Sequence, residues 1–316
     1  DQSNRWCRRD RRCKKKNLEI DQLKITVVQS DVTEIEADVL VVNLFEGVTS
    51  PRGATGAVDS ALGGLISELI SDGEISGSAS ELTLIHTPNS AYPNFKPSRV
   101  LIAGLGSNKG FNTDSARKVS AAVIRKLRVV GVQNAAMIVH GAGIGNLDAS
   151  SSAQAVVEGV LLGAYRFLKY RTTDKKRKSD LAHLIVVESD SAKISSIEVG
   201  VDRGIAYSEA EVLARDLVNE PANKLSPSDL ADTAIRVATE NGLECTVLEE
   251  ADVTALGMGA FVGVSQGGPR PLKFIHLTYE GDKPNAENNL SLIGKGITFD
   301  SGGISLKPGA GMGKMK

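Results

Sequence analysis

The chain has 316 residues, 41% hydrophobic, 24% charged and only 4% aromatic, with a formal net charge of −1. That length predicts two domains with cores built mostly from Val, Leu, Ile and Ala, and the near-zero charge gives no general pull towards nucleic acid or a membrane surface. No apolar run reaches the ~18 residues a membrane helix needs, and three cysteines, Cys7, Cys13 and Cys245, make no disulfide framework, so a reducing cytoplasm is the expected setting.

Residues 1–16 differ from the rest. They carry eight Lys/Arg and two Asp, a local charge of +6 against −7 for the remainder, and they include Trp6, the only tryptophan. They read as a disordered basic leader; a basic arm for nucleic acid or an anionic surface is the alternative. Cys7 and Cys13 have no neighbouring His or Cys, so zinc is not expected there.

An N-terminal domain is expected over 17–192, in which strands and helices alternate from Leu23 to about Asp190. Residues 25–28 and 37–43 read as buried strands. Residues 59–71 place Leu62, Leu65, Ile66 and Leu69 at helical spacing. Residues 99–106 read as a strand, 115–127 as a helix, 134–139 as a strand, 153–170 as a helix and 183–187 as a strand. This βαβ pattern predicts a mostly parallel sheet with helices on both faces.

Two glycine turns follow strands here, at Gly104, Gly106 and Gly110 and at Gly141, Gly143 and Gly145. Neither is G-x-G-x-x-G, and both are expected to be plain βα turns, with phosphate binding as the alternative. Asp31, followed by Ala37-Asp38-Val39 and Asn43, is similar to the start of a macro domain, a fold used elsewhere to bind ADP-ribose. His86, His140, His183 and His276 are too scattered for a metal cluster and read as hydrogen-bonded sheet residues.

A linking helix is expected over 193–221, ended by Pro221, and an α/β domain over 222–316. Within it, 228–241 reads as a helix capped by Ser226 or Ser228 and stopped by Gly242. Residues 244–248 and 272–279 read as strands, 251–256 as a short helix and 290–300 as a strand. That last strand would deliver Lys295 and then Asp300 to its carboxyl end, where Gly302 and Gly303 permit a sharp turn. On spacing alone, Lys295 and Asp300 form either a salt bridge at a sheet edge or a pair of metal ligands. The second needs a neutral amine, which a nearby dication favours. A nucleophilic serine does not fit, because Phe299-Asp300-Ser301-Gly302-Gly303 is not G-x-S-x-G.

The stretch GKGITFDSGGISLKP, residues 294–308, resembles the signature of the leucyl aminopeptidase family, the two-metal cytosolic aminopeptidases. Residues 214–223 with Leu225-Ser226-Pro227, and Leu256-Gly257-Met258-Gly259-Ala260-Phe261 with Gln266-Gly267, are similar to two further blocks of that family. The resemblance runs from about Leu23 to Lys316. It implies that Lys295 ligates one metal, that Asp300 bridges two divalent ions (Mn²⁺ or Zn²⁺), and that Lys307 donates to the scissile carbonyl oxygen. It also implies peptide substrates with a free N-terminus, and a homo-oligomer, a hexamer, for the whole protein.

The sequence departs from the family in one respect. The family's site also uses an aspartate shortly after a Met-Lys pair and an N-T-D-A-E-G-R segment, and neither is present here. Two ligands do not repay the dehydration of two dications, so the expectation is an aminopeptidase whose C-terminally truncated catalytic domain is inactive as it stands. The missing strands are expected to leave an exposed sheet edge and an apolar face. A non-catalytic binding protein or pseudoenzyme that uses the N-terminal α/β domain is the alternative, and the coding sequence beyond Lys316 discriminates the two.

Overall fold

The computed structural model describes residues 23–142, 145–173, 180–285 and 287–312. The basic leader with Trp6, Cys7 and Cys13, and residues 174–179, lie outside them. The chain divides into two compact units, Asp1–Glu211 and Val212–Lys316.

The first unit is built on a six-stranded sheet. Its strands are β1 (Lys24–Gln29), β2 (Val39–Phe45), β3 (Leu82–His86), β4 (Arg99–Gly106), β5 (Asn134–Met137) and β6 (His183–Glu188), in the order β1-β6-β5-β2-β4-β3. Every pairing is parallel except β3 with β4, and β1 joins β6 in register from Lys24↔His183 to Gln29↔Glu188. The helices are α1 (Gly53–Ala61), α2 (Leu65–Ser71), α3 (Thr113–Val130), α4 (Ala149–Ala164) and α5 (Ser191–Asn219), the last crossing the unit boundary. The expected α/β fold with helices on both faces is what forms.

The central strand shows why. β2 is apolar at six of its seven positions, VLVVNLF, as a strand covered on both faces must be. Its side chains alternate. Val39, Val41 and Phe45 enter a core with Val119, Val123 and Leu127 of α3 and with Val156 and Val160 of α4. Leu40, Val42 and Leu44 enter the opposite core, against Val58, Leu62 and Ile66 beside α1 and α2. A third cluster joins Val157 of α4 to Ile197 and Val201 of α5.

Two local expectations are corrected, and one strand was not expected. The helix over 59–71 is two helices, because Gly63 and Gly64 take φ of 69° and 89°, left-handed values at which a right-handed helix stops. The helix over 153–170 ends at Ala164, where Tyr165 turns extended with ψ of 136°. β3 was foreshadowed only by the reading of His86 as a sheet residue. It runs antiparallel at the edge, with His86 opposite Arg99.

The second unit holds α6 (Pro227–Asn241), β7 (Glu244–Leu248), α7 (Glu250–Ala255), α8 (Gly259–Ser265) and β8 (Phe274–Thr278). Ser226 caps α6 in a reciprocal box with Asp229, and Gly242 ends it with φ of 69°. β7 and β8 pair antiparallel, and Phe261 meets Phe274 edge-on at 5.8 Å. The strand expected over 290–300 does not form. A strand needs a neighbour to take its N–H and C=O groups, and among the described residues none pairs with this segment. Leu292 and Ile293 are consequently 88% and 98% exposed, and Ile304 and Leu306 are exposed as well.

Candidate functional site

Asp300 and Lys307 meet in a loop that closes on itself. Lys307 Nζ lies 2.9 Å from Asp300 Oδ2. The Gly302 N–H donates to Asp300 Oδ1 at 3.0 Å, and the Lys307 N–H donates to the Ser301 carbonyl at 2.9 Å. The turn depends on Gly302. Its φ is 93°, and a Cβ there would lie 2.3 Å from the Ser305 carbonyl oxygen. Both carboxylate oxygens of Asp300 are therefore engaged.

The electrostatics follow from those contacts. The hydrogen bond from Lys307 holds the Asp300 carboxyl below the usual aspartate range, helped by the Gly302 N–H, by the Lys307 charge and last by the charge of Lys295, with slight burial opposing. Both partners are partly open to water, at 27% exposure for the Lys307 side chain and 42% for that of Asp300. Lys295 is exposed and forms no ion pair among the described residues. It acts on Asp300 through its field.

Of the three site residues expected from the sequence, the structure thus joins Asp300 and Lys307 directly and sets Lys295 further off. The Asp300–Lys307 contact was not foreseen. Its signal is the pair of adjacent glycines inside a seven-step interval, which lets the chain double back.

A two-ion centre needs more donors than these. The segment offers one carboxylate and one amine, and among the described residues no group of three or more His, Cys, Asp or Glu gathers to hold an ion. The hard dications expected here are held by several oxygen or nitrogen donors. The described residues therefore do not by themselves fit a pair of ions.

The fold defines a two-domain α/β protein whose second unit carries a charged, glycine-closed loop. The model for the catalytic domain of the cytosol aminopeptidase family matches residues 212–316, and the model for that family's N-terminal domain matches residues 41–174. The chain belongs to the cytosol aminopeptidase family. A probable cytosol aminopeptidase from Alkaliphilus oremlandii is 36% identical over 294 residues, which cover 93% of this chain and 58% of that protein. One from Solibacter usitatus is 38% identical over 294 residues, covering 93% and 56%. The chain thus spans a little over half the length of the curated relatives it matches.

Among solved structures, the bottromycin maturation enzyme BotP in complex with Mn is 30% identical, with a TM-score of 0.66 over 87% of this chain and 51% of that one. A tomato leucine aminopeptidase mutant shares the fold at 24% identity, with a TM-score of 0.66 over 81% and 50%. Among the described residues no helix is long and apolar enough to cross a membrane.

Proposed function

We propose that this chain belongs to a metal-dependent aminopeptidase that releases N-terminal amino acids from peptides, and that the chain carries only part of the active site. The observation that carries this is the match of both family domains along one chain, with the loop from Lys295 to Lys307 inside the catalytic one. Bound Mn²⁺ or Zn²⁺ would supply an activated water and a hold on the substrate's free α-amine. Lys295 and Asp300 are the residues proposed to contribute ligands. Lys307 is proposed to present its ammonium to the scissile carbonyl oxygen, where a positioned cation stabilises developing negative charge. The 2.9 Å contact between Lys307 and Asp300 supports a shared place for these two groups in the loop.

The domain division proposed is 17–192 for the N-terminal domain, 193–221 for the linking helix and 222–316 for the catalytic part. A reducing cytoplasm and a homo-hexamer are proposed for the whole protein, the latter testable by light scattering.

The test is an assay with an aminoacyl chromogenic substrate under titration with Mn²⁺ and Zn²⁺. The 316-residue chain is expected to show no turnover, and appreciable turnover overturns the incomplete-site reading. Reading the coding sequence past Lys316 is the companion test. An N-T-D-A-E-G-R segment there supports the peptidase, and a stop codon directly after Lys316 favours a non-catalytic binding protein.

A further inference from the structure

A cleft of about 410 Å³ opens in the N-terminal unit at the carboxyl ends of its parallel strands. Its place follows from the topology. β2 hands on through α1 and α2 towards β3 and β4 on one side, whereas its neighbour β5 hands on through α4 to β6 on the other. Adjacent strands whose connections leave in opposite directions part the loops above them, and ligands collect in that crevice. Asn43 and Phe45 at the end of β2, and Val139 and Gly141 after β5, line it.

The cleft has two poles. At the β1–β6 end stand Asp31, Glu188 and Asp190, with Lys193. Lys193 Nζ lies 3.4 Å from Asp190 and 3.9 Å from Glu188, so its charge is already shared between two carboxylates. Asp31 is ionised; its Oδ1 accepts from the Thr33 N–H at 2.8 Å and the Thr33 hydroxyl at 2.7 Å, leaving Oδ2 without a donor among the described residues. This end has carboxylate to spare. The α1 end is the reverse. Arg52 lines the cleft, is exposed, and forms no ion pair among the described residues. Gly53, Ala54 and Thr55 of the first turn of α1 line this end, and that turn has neither a side-chain cap nor an acidic residue to satisfy its backbone N–H groups. Between the poles the walls are largely apolar, with Leu44, Val48 and Ile138.

The charge balance decides the ligand class. Three carboxylates face two cations, one of them already held, so the cleft has no surplus for a dianionic phosphate. Opposed poles across an apolar middle suit a zwitterion. The span suits one too. Strands lie ~4.8 Å apart, so β6 to β2 is about 10 Å and β1 to β2 about 14 Å, and an extended tripeptide reaches roughly 10 Å and a tetrapeptide roughly 13 Å. We propose that this cleft binds a short peptide of three or four residues with both termini free, its ammonium at the Glu188–Asp190 edge or, for the longer peptide, at Asp31, its carboxylate at Arg52 and the first turn of α1. The site lies wholly in the N-terminal unit and does not rest on the aminopeptidase reading.

The test is titration calorimetry of the 316-residue chain with the tetrapeptide alanyl-valyl-alanyl-leucine, in EDTA so that no metal-dependent cleavage intrudes. The expected result is saturable binding, weakened at least tenfold by N-acetylation and at least tenfold by C-amidation. Asp31→Asn, which keeps an acceptor for Thr33, should lose affinity for the free peptide but respond little to acetylation. Arg52→Gln should behave in the same way towards amidation. The blocked peptides need no mutation, so the test stands even if a variant misfolds. Binding that is indifferent to both blocks, absence of saturable binding by the free peptide, or binding of AMP or inorganic phosphate in its place overturns the proposal.

Discussion

His140 predicts a specific acid weakness in the N-terminal unit. The side chain is fully buried just after β5. The Asn43 amide nitrogen lies 3.2 Å from its Nδ1 and 3.4 Å from the Val139 carbonyl oxygen. Because that amide donates to the carbonyl, it also donates to Nδ1, which leaves the proton of the neutral ring on Nε2. Nε2 has no hydrogen-bond partner among the described residues. Burial pushes the imidazole from 6.5 down to about 4.

The sign follows from where protons bind. Between pH 6.5 and 4 the unfolded chain takes up a proton that the folded chain refuses, so stability falls as pH falls through that window and levels off below it. The full interval is worth about 3 kcal/mol. For a unit of this size that is roughly 6 to 12 °C in melting temperature. His183 is also held below its usual value, chiefly by burial and then by Lys24, so the total slope has more than one source. The assay is therefore a difference: urea unfolding of wild type and His140→Gln at half-unit steps from pH 7 to 4. The variant should lose about 3 kcal/mol less across the window. Equal slopes for the two proteins, or an NMR titration of His140 near its ordinary midpoint, would refute the reasoning.

Other outcomes follow from single contacts. Lys307→Gln should raise the Asp300 pKa towards the ordinary value, read from its carboxyl carbon shift, while leaving stability nearly unchanged because the pair is partly exposed; a fall in that pKa contradicts the pairing. Gly104→Ala should destabilise the N-terminal unit by about 1–3 kcal/mol in urea, because its Cβ would lie 2.1 Å from the Ser78 carbonyl oxygen, a backbone atom with no rotamer to change; a neutral result would mean the Gly77-Ser78 turn does not approach β4 as described. Ser226→Ala should cost about 1 kcal/mol and speed amide exchange in the first turn of α6, where the Ser226–Asp229 box now holds the free N–H groups; unchanged exchange there would count against the cap.

What could be read from the chain depended on how local the cause was. β2 and β4 are dense in Val, Leu and Ile because they are buried on both faces, and such runs announce themselves. The cap at Ser226 and the stop at Gly242 are equally local. The break at Gly63-Gly64 was hidden because the apolar spacing continues across it, and only the backbone angles separate α1 from α2. The segment from Leu290 to Asp300 went the other way. Its alternating apolar residues signal a strand, but a strand is a property of two segments, and no second one pairs with it among the described residues. In the candidate site the residue types were legible and their pairing was not. Spacing put Lys295 with Asp300, whereas the glycine turn brings Lys307 to it. The two-pole cleft lay further out of reach, since Asp31, Arg52 and Glu188 come together only through the strand order.

The partnership of β1 with β6 bears on how the protein is made. Gln29 sits opposite Glu188, so the first strand of the sheet has its only described ladder partner about 160 residues later in the chain. At a translation rate of ~5–20 residues per second, β1 leaves the ribosome roughly 8 to 30 seconds before that partner exists. During that time Ile25, Val27 and Val28 have no sheet to join. A nascent-chain chaperone has its clearest opportunity there, and the N-terminal unit closes only when β6 emerges.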